Sequence, residues 1–193
     1  DISCFGAMDG LIDITISGGT PNISPPLYNV NWLATNGFTS SNTDLTSITS
    51  PGTYNATIFD ANFCQAPSIS QYILEPTALN AITTPQIVSC YGYNDGTIQL
   101  QISGGSFPYS TSWIGPNGFS SVLEDLQGLS SGTYTYDVID ASGCSLVSPT
   151  IHDVFVAEPP EIIVTKVVTP IDCYGHSNGS IDLNISGITG IPN

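Results

Sequence analysis

The chain has 193 residues, 40% of them hydrophobic, and sets 16 acidic residues against one basic residue, Lys166, for a formal net charge of −15. That balance excludes nucleic acid and anionic lipid as partners, since both are held through Lys and Arg. The apolar residues are too many and too well patterned for a disordered segment, and no apolar run approaches the roughly 20 residues of a membrane-spanning helix.

The chain opens on a block that returns twice. Cys-x-Gly-x-x-[Asp/Asn]-Gly runs from Cys4 to Gly10, from Cys90 to Gly96 and from Cys173 to Gly179, with cysteines 86 and 83 residues apart. Each block leads into an alternating strand: Ile12, Ile14 and Ile16; Ile98, Leu100 and Ile102; Ile181, Leu183 and Ile185. Polar residues fill most positions between them, the pattern of a strand with one face on a core. A Ser-Gly step ends each strand at Ser17, Ser103 and Ser186, 13 residues after the cysteine. Recurrence at fixed spacing marks a tandem array, whose function is a property of the array before it is one of any single site.

The later landmarks repeat in the same order. Strands are predicted around Trp32 and Trp113 and over Tyr54–Asp60 and Tyr134–Asp140. Leu126-x-x-Leu129-x-x-Gly132-Thr133-Tyr134 reads as a corner at which a Tyr hydroxyl bonds back to the backbone. The turns Asp60–Cys64 and Asp140–Cys144 follow, and Glu75-Pro76 and Glu158-Pro159 close the repeats. Length changes fall only between Ser17 and Trp32 and between Cys64 and Glu75, as loops on a fixed scaffold allow. No stretch holds a helical period. The expected fold is therefore all-β: tandem Ig-like β-sandwich repeats with one disulfide each. Repeat 1 covers 1–76, repeat 2 covers 77–159 and the start of repeat 3 covers 160–193; the sequence reads as a segment of a longer chain. Short joints rich in Val, Ile, Thr and Pro predict a semi-rigid rod of independently folding domains.

The five cysteines fit the repeat. Cys4 is expected to pair with Cys64 and Cys90 with Cys144, each within its own repeat, which leaves Cys173 for a partner beyond the segment. Structural disulfides imply an oxidising, extracytoplasmic compartment. No Cys-x-x-Cys spacing supports a metal, and His152 and His176 lack a second ligand at metal spacing.

Acidic residues recur at two places. Asp9, Asp95 and Asn178 precede a Gly after the cysteine; Asp60 and Asp140 lie four residues before one. Asp9, Asp95, Asp60 and Asp140 are the candidate calcium ligands. The competing reading, which is preferred, is that all of them shape tight turns. Trp32, Trp113, Tyr54 and Tyr134 invite a sugar-stacking role, but equivalent placement in both repeats favours the core. The one distinctive surface is the longer Pro21–Tyr28 loop. No Ser, His and Asp stand at triad spacing, and Asp137 and Asp140, three apart on a strand, point to opposite faces. No enzyme is expected, and no cofactor beyond the calcium considered above.

Taken together, these landmarks resemble the SprB repeat of gliding bacteria. Repeat 2 carries the pattern at Cys90, Gly92, Asp95, Gly96, Ser103 to Gly105, Tyr109, Trp113, Gly132 to Tyr134, Asp140, Gly143, Cys144, Glu158 and Pro159. Repeat 1 departs at Phe63, where Gly is expected, and repeat 3 at Ile188, where a second Gly is expected. The resemblance implies a very large, exported surface adhesin of Bacteroidota, carried by the type IX secretion system to the outer-membrane surface, with gliding and attachment as its work. The implied partners are neighbouring repeats, surface polysaccharide or substratum, and the gliding and secretion machinery. Two other roles are a polysaccharide-binding module and an accessory repeat of a secreted hydrolase.

Overall fold

A computed structural model describes residues 1–147 and 152–187. They form fifteen strands, no α-helix and one 3-10 turn at Pro116–Gly118. In the first repeat the strands are β1 (Gly10–Ile12), β2 (Asn29–Ala34), β3 (Thr39–Ser40), β4 (Leu45–Ile48), β5 (Gly52–Phe59) and β6 (Ile69–Ile73). One sheet pairs β1 with β4; the other has the order β3-β2-β5-β6, all antiparallel. Alternation turns Val30, Trp32 and Ala34 of β2 and Tyr54, Ala56 and Ile58 of β5 inward. They meet Ile12 of β1 with Leu45 and Ile48 of β4 in one core, so the two sheets form a sandwich.

The second repeat has the fuller set: β7 (Asn80–Gln86), β8 (Gly96–Ser103), β9 (Ser110–Ile114), β10 (Ser120–Ser121), β11 (Leu126–Leu129), β12 (Gly132–Ile139) and β13 (His152–Val156). Three strands in the order β11-β8-β7 form one sheet and four in the order β10-β9-β12-β13 the other. Ile98, Trp113, Leu129, Tyr134, Val138 and Val156 are buried, and each large apolar side chain taken from water stabilises by about 1.5–3 kcal/mol. The third repeat contributes β14 (Ile163–Thr169) and β15 (Ser180–Ser186), an antiparallel pair in which Ile181, Leu183 and Ile185 are exposed.

The expected corner is present in both repeats. The Tyr54 hydroxyl donates to the Ser50 carbonyl at 2.8 Å and that of Tyr134 to Ser130 at 3.0 Å. The indole N–H of Trp113 donates to the Leu123 carbonyl at 2.9 Å and that of Trp32 to Asn42 at 3.0 Å. The alternating strand of the first repeat is shorter than its pattern: β1 stops at Ile12, although Ile14 and Ile16 still pack on the core. The Ile14 amide donates instead to Asp44 at 3.0 Å, as the Leu100 amide does to Asp125 at 2.9 Å.

The chain divides into two compact units that cut across the sequence repeats. One holds 1–81, 102–110 and the described part of 138–149; the other holds 82–101, 111–137 and the described part of 150–193.

Candidate functional site

The Cys-x-Gly block is a tight turn. The amide of Ala7 donates to the Cys4 carbonyl at 3.0 Å, that of Tyr93 to Cys90 at 3.1 Å and that of His176 to Cys173 at 3.1 Å. The acidic residue of the block fastens the chain just before it. Asp9 accepts from the Ser3 amide at 3.0 Å and from the Ser3 hydroxyl; Asp95 accepts from the Ser89 amide at 2.9 Å. The serine hydroxyl and then its amide hold both carboxyls below the usual range. Asn178 does the same work through its side-chain oxygen, which accepts from the Asp172 amide at 3.4 Å. An acceptor is what the position requires, and an amide oxygen supplies one as a carboxylate does.

The closing Glu returns to this block. Glu75 accepts from the Gly6 amide at 2.8 Å, and Glu158 from the Gly92 amide at 2.9 Å. Each repeat thus ties its last landmark to its first.

The second acidic position is buried. One oxygen of Asp140 accepts from the amides of Ser142 at 2.8 Å and Cys144 at 2.9 Å; the other accepts from Ser106 at 2.8 Å. Asp60 does likewise with Asn62, Cys64 and Thr20 at 2.9, 2.8 and 3.0 Å. Burial pushes the Asp140 carboxyl up, but the amides of Cys144, Ser106, Ser142 and Gly143 outweigh it and hold the group below its ordinary value. For Asp60 the amides of Thr20 and Cys64 are the main cause of the same shift. Phe63 takes the place of Gly143 in this turn with φ of 61°, a left-handed conformation that costs a side chain about 1–2 kcal/mol.

These carboxylates face N–H donors. Among the described residues none of Asp9, Asp60, Asp95 and Asp140 joins a group of three or more potential ligands; the one such group is Asp172, Cys173 and His176, all exposed. Trp32, Trp113, Tyr54 and Tyr134 are buried and offer no ring face to a sugar. The Pro21–Tyr28 loop is tied internally, Asn22 donating to the Pro26 carbonyl at 2.8 Å and the Tyr28 hydroxyl to Gly18 at 2.8 Å. Ile188 lies outside the described residues.

The disulfide corrects the expected pairing. Cys4 is bonded to Cys144, across 140 residues, with Cα atoms 5.7 Å apart; Cys64, Cys90 and Cys173 are free and exposed. The reason is topological. In the first repeat Cys4 and Glu75 lie at the end where Gly52 begins β5 and pairs with Ile73. Cys64 lies past the other end of β5, where Phe59 pairs with Asn29. Eight extended residues separate the two ends by roughly 25 Å, far beyond the 7 Å that a disulfide tolerates between Cα atoms.

Around the bond, the segment after Pro76 is packed rather than slack. Thr77 accepts from the Gly105 amide at 2.9 Å, and Leu79 is buried. The Ala78 carbonyl lies so close to Gly104 that a Cβ there would sit 1.9 Å from its oxygen, so only glycine fits. The Cys144 sulfur comes within 3.4 Å of the Ser3 carbonyl. All of these residues belong to the first compact unit.

The family model for the SprB repeat matches residues 1–27, 82–118 and 165–191. Three segments of the chain thus match the SprB repeat. Each match holds one Cys-x-Gly block and the strand after it; the turns ending in Cys64 and Cys144 lie outside the matched residues. SprB repeats are structural repeats of cell-surface proteins. No curated protein matches the chain. Among the described residues no helix is long and apolar enough to cross a membrane.

Proposed function

We propose that this chain is a non-catalytic structural stretch of a very large exported surface adhesin that serves gliding motility and attachment. The observation that carries the reading is the stapled joint: the Cys4–Cys144 bond with Leu79 buried and Ala78 pressed on Gly104. Such a joint suits a stalk, which must carry load from one repeat to the next. The use of the acidic side chains supports a non-catalytic role: Asp9, Asp60, Asp95, Asp140, Glu75 and Glu158 each hold backbone amides. Stacked repeats add reach in one dimension, roughly 30–45 Å for each sandwich placed end to end. Export by the type IX system, an outer-membrane location in Bacteroidota, and polysaccharide or substratum as the target of the distal tip follow from the SprB resemblance.

In-frame deletion of several repeats from the full-length protein tests this. The surface filament should shorten and attachment fall while export continues. Loss of a soluble enzymatic activity, with filament and attachment unchanged, would overturn the reading.

A further inference from the structure

We propose that Cys4–Cys144 is one link of a staggered series. In that series each turn cysteine, such as Cys64, bridges to the block cysteine of the SprB repeat before it. Each block cysteine, such as Cys90 or Cys173, bridges to the turn cysteine of the repeat after it. The inference rests on the repetition of the joint, not on the adhesive role.

Three observations carry it. First, the two cysteines of the first repeat stand at opposite ends of β5, so Cys64 has no partner within its own sandwich. Second, the joint is built again beside Cys90. The Glu161 carbonyl lies against Gly187 as Ala78 lies against Gly104, with the same 1.9 Å to a notional Cβ. A cleft of about 410 Å³ opens there, lined by Cys90, Tyr91, Pro159, Glu161 and Gly187. Its counterpart beside Cys4 is narrowed to about 190 Å³, with the turn that carries Asp140, Gly143 and Cys144 forming part of its wall. Third, the end of the first repeat that carries Cys64 has the receiving shape. Ile16, Gly19, Tyr28, Ile58, Asp60 and Cys64 line a cleft of about 210 Å³. At the equivalent place in the second repeat, Leu79 sits 3.1 Å from where a Cβ of Gly105 would be.

The occupant of the Cys64 cleft is therefore the end of a preceding SprB repeat. That end consists of its Cys-x-Gly turn and an apolar residue four positions after its closing Glu, as Leu79 follows Glu75 and Ile162 follows Glu158. The turn is set in advance, because Asp60 already holds the Cys64 amide at 2.8 Å as Asp140 holds that of Cys144 at 2.9 Å. Closing each link breaks two S–H bonds and forms one S–S bond. The two electrons and two protons pass to a protein disulfide oxidant of the export compartment, which leaves as its dithiol.

Peptide mapping of the full-length protein, alkylated on the cell surface and digested without reduction, tests the series. The expected products are Cys4 linked to Cys144, Cys90 linked to a cysteine ending a downstream Asp-x-x-x-Cys turn, and Cys64 linked to an upstream Cys-x-Gly block. Alkylated Cys64 or Cys90, or a Cys4–Cys64 or Cys90–Cys144 peptide, would overturn it. In the 193-residue chain, Cys144→Ser should add the Cys4 thiol to the three that react without denaturant. A new Cys4–Cys64 bond in that variant would count against the inference. None of these readouts depends on adhesion, so the series and the stalk stand or fall separately.

Discussion

Asp140 shows how much one side chain does here. Its carboxylate gathers the amides of Ser106, Ser142 and Cys144 and so fixes the turn that presents the bridging cysteine. The local part of this role was legible, because an Asp in a hairpin-like turn offers its side chain to the amide two residues on, here Ser142. The reach to Ser106 was not, since the amide is 34 residues away and only the fold brings it near. Because amide donors hold the folded pKa below the unfolded value of about 3.9, the bonds stabilise the fold above that value. That contribution is lost as pH falls through the lower folded pKa. The melting temperature should be level from neutral pH to about 5 and fall below about 4. Asp140→Asn should lower it by several degrees at neutral pH, since an Asn NH2 group must then face an amide donor, and should shrink the acid-dependent part. Thermal melts across pH check both; an unchanged acid slope in the variant would remove Asp140 from the account.

Strands were easier to read than their connections. The alternation of Ile98, Leu100 and Ile102 announced β8, and the Gly-Thr-Tyr step announced β12 with its corner. Tyr134→Phe tests the corner: it removes the hydroxyl bond to Ser130 but keeps the ring, and should cost about 0.5–1.5 kcal/mol in denaturant unfolding. No measurable loss would make the hydroxyl incidental. What the pattern could not give was the cysteine pairing. A repeat has the same period whether its block cysteine bonds the turn of its own unit or of the next, so register is silent on that choice. Strand direction decides it, because β5 runs from the Glu75 end to the Cys64 end. Glu75 hid for a similar reason. It closes the repeat in the sequence, while its bond goes back to Gly6 across 69 residues.

At the scale of the whole chain, the bridge encloses 140 residues where bonds within each repeat would have enclosed about 60. In the chain-entropy model the longer closure limits the unfolded state by about 5 kcal/mol. Stability contributed by this bond therefore belongs to the joined repeats and not to one sandwich. A piece covering 77–159 has no partner for Cys144 and should melt at the same temperature with and without reductant. The chain that keeps both Cys4 and Cys144 should lose several degrees on reduction, and Cys144→Ser should reproduce that loss under oxidising conditions. Cys64→Ser and Cys90→Ser should leave the melt of this chain unchanged, since both thiols are free and exposed in it. Pairing within repeats makes the opposite prediction: Cys64→Ser would then destabilise the first sandwich, and Cys90→Ser would act like Cys144→Ser. Differential scanning calorimetry of the four variants separates the two patterns, and a loss in Cys64→Ser equal to that in Cys4→Ser would refute the bond between the first block and the second turn.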